Sequence, residues 1–188
     1  MVEIICYHTC KNKNGKDYIL QRAPFHSDRS KPQWLGQGYY LWTDSDFYAH
    51  RWIESDYVII KAKVEVGEEE FLDLVGNVNA QLFFEKLISA YKEYLRKKIS
   101  ECKRQDKDRL EREYRNLSVS DVIRHYRSER KFPFKVVKAQ DIHSEETKQT
   151  RFVRDRNEFF LYPTRQQLVV YTEASNLIKY KEWYFPKD

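Results

Sequence analysis

Three short segments of the chain carry side chains that could do chemistry. In the first, Cys6-Tyr7-His8-Thr9-Cys10, the alternation of a strand would place the side chains of Cys6, His8 and Cys10 on one face. Tetrahedral zinc needs about four such ligands, and no other pair of Cys and His in the sequence has matching spacing. We therefore expect no metal site, and His8 is either a binding residue or a strand-end histidine that hydrogen-bonds its neighbours.

The second segment, Trp34-Leu35-Gly36-Gln37-Gly38-Tyr39-Tyr40-Leu41-Trp42, places two glycines among aromatic residues. Glycines two positions apart allow a tight turn and let a ligand approach the backbone, and the aromatic rings offer flat faces for stacking. The segment lacks the third glycine of a dinucleotide-binding fingerprint, and it precedes a strand instead of following one. Tyr39 and Tyr40 are therefore either ligand contacts or ordinary aromatic residues of a core strand.

The third segment, Arg156-Asn157-Glu158-Phe159-Phe160-Leu161-Tyr162, has a carboxylate directly before an apolar strand. A carboxylate at the mouth of a sheet can hold a sugar hydroxyl and stabilise positive charge on the neighbouring anomeric carbon, as glycosyl transfer requires. The alternative is a surface glutamate that pairs with Arg154 or Arg156.

The pattern around these segments predicts an α+β fold with a helical insertion. A helix capped by Asp44 or Ser45 is expected to run to about Ser55. A helical stripe begins near Asn79 and leads into one long basic helix and a further helix from Ser120. Strands are expected at Glu3–Tyr7, Gly38–Trp42, Tyr57–Val66, Glu70–Leu74, Phe134–Val137, Glu158–Tyr162 and Leu168–Tyr171, with one more element after them.

The composition fits a single domain, residues 1–188, with the insertion at about residues 77–132. Aromatic residues make up 15% of the 188 residues, which excludes collagen-like, low-complexity and disordered proteins. The formal net charge is +5, and residues 92–131 carry 14 Lys and Arg against 8 Asp and Glu. The excess positive charge therefore lies in the insertion, which either attracts a polyanion or is a solvated helix face.

The sequence also predicts the compartment. No apolar run reaches the roughly 20 residues that cross a bilayer, and the first residues, MVEIICYHTC, show no secretory signal. The three cysteines are a sparse, odd-numbered set. We therefore expect a reduced cytoplasmic protein without a membrane partner.

Taken together, His8, Gly36-Gln37-Gly38-Tyr39-Tyr40 and Glu158 resemble, in order and spacing, the ADP-ribosyltransferase superfamily. The similarity is to the branch of diphtheria toxin and poly(ADP-ribose) polymerases, which carries a His-Tyr-Glu motif on three separate strands. It covers roughly residues 3–74 and 150–171. The Gly-x-Gly-x-Tyr strand is similar to that of small bacterial members.

The resemblance implies a split core of two packed, mostly antiparallel sheets around a cleft for NAD⁺, which is a substrate. In that cleft His8 would bind the adenosine ribose, the backbone of Thr9 the nicotinamide amide, and Tyr40 the nicotinamide ribose and ring. Glu158 would hold the ribose 2′-hydroxyl and stabilise the transition state as nicotinamide leaves. The remaining implied NAD⁺ contacts are Gly38, Tyr39 and Trp52.

The sequence departs from the family pattern at two positions, of which the second bears on the acceptor. Thr9 stands where the family usually has glycine. Arg156 stands two residues before Glu158, where toxins that modify arginine, glutamine or asparagine carry Glu or Gln. With Arg154, it would instead put positive charge on the acceptor side. The resemblance and these charges favour a toxin or antiphage effector, a mono-ADP-ribosyltransferase whose acceptor is RNA or single-stranded DNA rather than protein.

Other functions stay open at this point. NAD⁺ hydrolysis needs the same cleft and only water as the nucleophile, and a protein acceptor needs no further motif. A non-catalytic module would use the helical insertion to bind nucleic acid or a protein. A toxin also implies an antitoxin or chaperone as a neutralising partner.

Overall fold

The computed structural model describes residues 1–142, 148–151 and 158–186, which form an α+β fold and confirm the predicted class. The strands are β1 (Val2–Lys11), β2 (Gly38–Thr43), β3 (Tyr57–Val66), β4 (Phe71–Asp73), β5 (Val136–Asp141), β6 (Lys148–Arg151), β7 (Phe159–Tyr162), β8 (Arg165–Tyr171) and β9 (Ile178–Phe185). The α-helices are α1 (Lys16–Arg22), α2 (Val78–Glu101), α3 (Arg104–Arg115) and α4 (Val119–Ser128).

Seven of the strands form one sheet in the order β4-β5-β8-β2-β1-β3-β9. β4 and β5 pair in parallel, and the other neighbours in this sheet pair antiparallel. β6 and β7 form a separate two-stranded antiparallel sheet. The resemblance implied two packed, mostly antiparallel sheets around a cleft; the described residues show a seven-stranded sheet that opens part-way along, together with the separate two-stranded sheet.

The opening lies between β1 and β2, and we call it the fork. These two strands pair only at Cys6–Thr43 and Tyr7–Trp42. Past that point β1 stays paired with β3 as far as Lys11, and β2 stays paired with β8 back to Gly38. The backbone at His8 therefore diverges from β2 and leaves a gap in the middle of the sheet.

The helical block is the crossover between the two parallel strands β4 and β5. Parallel neighbours need a long connection, and α2, α3 and α4 provide it. The side chain of Asn77 accepts a hydrogen bond from the backbone of Ala80 and begins α2, while Ser118 and Asp121 form a capping box at the start of α4. The single long basic helix predicted from the sequence is wrong, because the extended backbone at Lys103 separates α2 from α3.

The core lies on both faces of the sheet. On one face, the stripe predicted for α2 is confirmed: Phe84, Tyr91 and Leu95 are buried against β5 and β8. On the other face, Ile19 of α1 packs with Val58 and Ile60 of β3 and related apolar residues. Helix α1, which is only seven residues long, was not predicted from the sequence. None of the helices in the described residues is long and apolar enough to cross a membrane.

The helix predicted from Asp44 to about Ser55 is also wrong. Only a 3₁₀ turn forms there, at Ala49–Arg51. Asp44 has a φ of 67°, in the left-handed region, so the chain turns away before a helix can start. The hydroxyl of Tyr48 donates to the carbonyl of Pro163 at 3.0 Å, which anchors the segment to the loop before β8.

Candidate functional site

A cleft of about 390 Å³ opens at the fork. This volume lies in the range of small-molecule sites. Strands β1, β2 and β8 and the loop between α1 and β2 form its walls. The lining side chains include His8, Thr9, Phe25, His26, Asp28, Lys31, Trp34, Tyr40, Trp42, Trp52 and Gln167. Four of the residues predicted from the sequence, His8, Thr9, Tyr40 and Trp52, are therefore brought together.

Backbone groups engage both ring nitrogens of His8. Nε2 accepts the backbone N–H of Phe25 at 3.1 Å, so the ring proton is on Nδ1, which donates to the carbonyl of Tyr40 at 3.1 Å. Burial lowers the pKa of His8 to about 4, against the opposing effect of the hydrogen bond to Tyr40. His8 is therefore a neutral imidazole that ties β1 to β2 across the fork.

Tyr40 forms a fixed wall of the cleft. Its hydroxyl donates to the carbonyl of Gly36 at 2.8 Å and accepts the N–H of Leu35 at 2.9 Å. Burial raises the pKa of Tyr40, and the hydrogen bond from Leu35 opposes this. Gly36 has a φ of 88°, so it supplies the tight turn that the sequence predicted. The phenol holds this turn in place and stays protonated.

The backbone of Thr9 faces the fork. The carbonyl of Tyr40 points towards β1. Because the direction of the backbone N–H and carbonyl groups alternates from residue to residue along a strand, those of Trp42 also point towards β1. Trp42 is paired with Tyr7, so Thr9, two residues after Tyr7, also directs its N–H and carbonyl towards β2, where β2 has already diverged. The Thr9 hydroxyl is bound elsewhere, since it donates to the carbonyl of Ala49 at 2.7 Å.

Gly38 and Tyr39, which the sequence predicted as NAD⁺ contacts, do not line the cleft. A Cβ on Gly38 would lie 2.6 Å from the carbonyl oxygen of Val170, so this glycine permits the close approach of β8 and not of a ligand. The side chain of Tyr39 points to the opposite face of the sheet from the side chain of Tyr40. There it packs edge-on against His26, with 5.4 Å between the ring centroids.

Sequence reasoning missed Gln167, which lies on β8 next to β2. Its side chain is only 9% exposed, and its Oε1 accepts the indole N–H of Trp34 at 2.7 Å. Its amide nitrogen has no partner among the described residues. A signal was present, because Gln167 directly precedes the apolar run Leu168–Tyr171, but the chemistry of glycosyl transfer pointed to a carboxylate instead.

Glu158, which the resemblance implied as the third residue of the motif, does not line the cleft. It is exposed, stands directly before β7 of the two-stranded sheet, and is absent from the described residues that line the cleft. The reason is the strand order: β8, and not β7, is the neighbour of β2. Arg154 and Arg156 lie outside the described residues, so their predicted place beside the acceptor stays a prediction.

Flat aromatic faces and paired charges complete the cleft. Trp52 is 59% exposed and meets Trp42 edge-on, with 5.4 Å between the ring centroids. At the rim, Lys31 lies 3.8 Å from the carboxylate of Asp28. The side chain and backbone N–H of Ser30 bind that carboxylate and lower its pKa, so it carries its charge at neutral pH. The described residues contain no group of three or more side chains that could hold a metal ion.

Comparisons with protein-family models, curated proteins and solved structures gave no match to this chain. The family resemblance therefore rests on the sequence motifs alone. Functional inference rests on the cleft itself.

Proposed function

We propose that the chain binds NAD⁺ at the fork and transfers its ADP-ribose unit to a macromolecule, as a mono-ADP-ribosyltransferase. One observation carries the proposal: His8, Tyr40 and Gln167 come from three neighbouring strands and line one cleft. The family that the sequence resembles also has its motif on three separate strands. The aromatic walls suit a planar ring with its attached sugar.

Each wall of the cleft offers a distinct contact to NAD⁺. The backbone N–H and carbonyl of Thr9 match the carboxamide of nicotinamide, which has one acceptor and two donor hydrogens. The rings of Tyr40 and Trp52 provide flat faces for the nicotinamide and the ribose. The unpartnered amide nitrogen of Gln167 can donate to a ribose hydroxyl while its oxygen stays bound to Trp34.

In the transfer, the bond between ribose C1′ and the nicotinamide nitrogen breaks, and nicotinamide takes the bonding electrons and leaves neutral. Positive charge develops on the ribose, an acceptor atom gives an electron pair to C1′, and the acceptor's proton passes to water. Because the oxygen of Gln167 stays bound to Trp34, this side chain offers the developing charge only an amide N–H and no negative group, so it stabilises the transition state less than a carboxylate does. We therefore expect slow turnover.

The second candidate is a module that binds NAD⁺ without turning it over. Two observations favour it. The side chain of Gln167 is an amide, and Nε2 of His8 already accepts the N–H of Phe25. For His8 to bind a ribose hydroxyl through Nε2, the backbone at Phe25 must first move away. NAD⁺ hydrolysis lies between these two candidates, because it needs cleavage of the bond to nicotinamide but only water as the acceptor.

The charge of residues 92–131 supports nucleic acid over protein as the acceptor. Several arginines there pair with carboxylates of their own helix, namely Arg96 with Glu93, Arg115 with Glu111 and Arg124 with Asp121. Other basic side chains, including Lys103, Lys107 and Arg130, are exposed. A polyanion would be attracted to this block in a salt-sensitive way. An antitoxin or chaperone partner stays a prediction from the resemblance.

The test is nicotinamide release from NAD⁺ by the wild type and three variants, with and without single-stranded RNA. Gln167→Ala removes the side chain on β8, and Glu158→Ala removes the carboxylate predicted from the sequence. Gln140→Ala is the matched control, because Gln140 is an exposed glutamine on the neighbouring strand β5. Thermal shift with NAD⁺ reports binding for each protein.

We expect release by the wild type, its loss in Gln167→Ala, and little change in Glu158→Ala and Gln140→Ala. Loss in Glu158→Ala alone would return the catalytic role to that carboxylate. Binding without release in the wild type would establish the second candidate. Neither binding nor release would refute both.

A further inference from the structure

The helical block contains a pocket of about 570 Å³ between α2, α3 and α4, and we call it the helix pocket. This volume lies in the range of small-molecule sites. Its lining combines aromatic rings with charged side chains, among them Tyr91, Tyr94, Lys98, Arg109, Glu113 and His125. None of the described residues that line the cleft at the fork also lines the helix pocket, so the two sites are separate.

Three nearly parallel rings form one wall of the helix pocket. The ring of His125 stacks on that of Tyr91, with 4.1 Å between the centroids and 20° between the planes. The ring of Tyr94 lies 5.9 Å from Tyr91 at 18° and 5.1 Å from His125 at 34°. Tyr91 is buried, whereas Tyr94 is 44% exposed, so a ligand can reach the Tyr94 ring. A flat ring that enters the pocket can therefore continue this stack at Tyr94.

The carboxylates that line the helix pocket are each paired with a donor of the same helical block. The pairs are Glu113 with the hydroxyl of Tyr91 at 2.5 Å, Asp106 with Arg109 at 3.9 Å and Glu101 with Lys97 at 4.0 Å. These acidic groups therefore give the pocket no clear preference for a cationic ligand.

Two other groups of the helix pocket are available to a ligand. Lys98 forms no ion pair among the described residues, and its Nζ lies 5.5 Å from the centre of the Tyr94 ring. Neither ring nitrogen of His125 has a hydrogen-bond partner among the described residues. A neutral imidazole offers one donor and one acceptor. The pocket therefore places a cation and a small polar group beside an accessible stacking surface, which is the combination that single-strand binding sites use for a base and its phosphate.

We propose that the helix pocket holds one unpaired nucleotide of a single-stranded nucleic acid. The base continues the ring stack at Tyr94, the phosphate pairs with Lys98, and a ring nitrogen of His125 hydrogen-bonds the base or the ribose. This inference rests on the proposed function for its choice of the acceptor as the bound strand, but binding at the helix pocket requires no NAD⁺.

The charge around the helix pocket favours a nucleic acid over a free nucleotide. Residues 92–131 carry 14 Lys and Arg against 8 Asp and Glu. Exposed Lys103 and Lys107 directly follow two lining residues, Cys102 and Asp106. These charges have phosphates to bind only where the strand continues past the pocket. A duplex fits less well, because its bases are already stacked on one another and cannot reach Tyr94.

Helix α4 connects the helix pocket with the cleft. Besides His125 it carries Arg127, whose guanidinium lies 3.8 Å from the centre of the Tyr171 ring. The hydroxyl of Tyr171 donates to the carbonyl of Leu35 at 3.1 Å, and the N–H of Leu35 binds the hydroxyl of Tyr40. A strand held at the helix pocket is therefore attached to the helix that packs against a wall of the cleft.

The experiment measures binding of a labelled ten-nucleotide RNA to the full chain by fluorescence anisotropy, without NAD⁺, at several salt concentrations. The same RNA paired with its complement, AMP and an arginine-rich peptide are the comparison ligands. Tyr94→Ala removes the stacking ring, and its control is Tyr180→Ala, since Tyr180 is an exposed tyrosine on β9. Lys98→Gln removes the cation, and its control is Lys86→Gln, since Lys86 is an exposed lysine of the same helix α2.

We expect Tyr94→Ala to weaken binding of the single strand about tenfold, because one base loses its stacking partner, and to leave the salt dependence unchanged. Lys98→Gln should lower the slope of log Kd against log salt by about 0.7, the value for one phosphate contact of a single strand. Both controls should behave like the wild type. All four variants should keep the wild-type melting temperature, because the side chains that they replace are exposed.

Several results would overturn the proposal. Wild-type affinity in Tyr94→Ala would show that no base stacks there, and an unchanged salt slope in Lys98→Gln would show that no phosphate pairs there. Equal binding of the duplex would indicate attraction to phosphates alone. AMP that binds as tightly as the ten-nucleotide RNA would make this a site for a free nucleotide, and preferred binding of the arginine-rich peptide would make it a protein interface.

The two proposals fail in different ways. If the variants change RNA binding as expected but the wild type never releases nicotinamide, the proposed transferase function is wrong and the helix pocket stands. If the wild type releases nicotinamide but Tyr94→Ala and Lys98→Gln bind RNA as the wild type does, the helix pocket is wrong and the activity stands.

Discussion

Acidification is expected to destabilise the fold through His8. Its pKa is about 4 in the folded protein, against about 6.5 in an unfolded chain. As the pH falls, the unfolded state binds the proton first, so the contribution of His8 to stability is complete above pH 6.5 and is lost as the pH falls towards 4. The full difference corresponds to about 3 kcal/mol, of which about 2 kcal/mol is lost between pH 7.5 and pH 5.

The physical cause is the arrangement of donors around the ring. A proton added to Nε2 of His8 would point at the backbone N–H of Phe25, which that nitrogen now accepts. The protonated ring would also lie in a buried site where no carboxylate of the described residues hydrogen-bonds or pairs with it. Protonation therefore breaks one hydrogen bond and leaves a charge in a buried place.

The assay is urea-induced unfolding at pH 7.5 and pH 5 of the wild type and His8→Gln. Glutamine offers an N–H to the carbonyl of Tyr40 and an oxygen to the N–H of Phe25, but it does not titrate. The variant should therefore lose about 2 kcal/mol less stability than the wild type between the two pH values. His50→Gln is the comparison histidine variant, since the ring of His50 contacts Tyr57 and Asp46 and does not bridge β1 and β2. Equal pH dependence in the wild type and His8→Gln would refute the neutral, doubly bonded His8.

Three further outcomes follow from the cleft. Tyr40→Phe should lower the free energy of unfolding by about 2 kcal/mol in a urea titration, because two backbone groups at the Gly36 turn lose their partner. In the same titration the control, Tyr39→Phe, should change the free energy of unfolding by less than about 0.5 kcal/mol. Gln167→Glu should raise the rate of nicotinamide release about 100-fold by adding a negative charge beside the ribose. This gain should fall at acid pH, because burial raises the pKa of the new carboxyl. No gain would show that the side chain at position 167 takes no part in the reaction. Trp52→Ala should weaken NAD⁺ binding about fivefold in calorimetry and leave the melting temperature unchanged, because the ring is largely exposed.

The strands that form the site could be predicted because their residue types alternate with the period of a sheet. Tyr57–Val66 has the boundaries predicted for it, and Gly38–Trp42 is one residue short of β2. The predicted first strand, Glu3–Tyr7, is shorter than β1, which runs to Lys11. Its extension was missed because His8, Thr9 and Lys11 are polar in type, although His8, Thr9 and Cys10 are buried in the structure.

The third wall of the cleft could not be predicted by the same reasoning. Which strand lies beside β2 depends on pairing between residues more than a hundred positions apart, such as Tyr40 and Val169. Local sequence offered two apolar strands in succession, β7 and β8, and a carboxylate stood before the first. Chemistry alone therefore selected Glu158, and only the strand order shows that Gln167, which pairs with Trp42, lines the same cleft as Tyr40.

The hydrogen bonds of His8 and Tyr40 bear on how the cleft works. Both side chains bind the backbone of the walls, so they hold the fork open before any ligand arrives. A ligand then meets a preformed site and has little ordering cost to pay, which favours binding. Turnover would need something else, namely a group that stabilises positive charge only in the transition state. Gln167 lines the same cleft, and it can be exchanged for a carboxylate of nearly the same shape. Under the proposed function, we therefore expect the architecture of the fork to determine binding and the residue at position 167 to determine the rate.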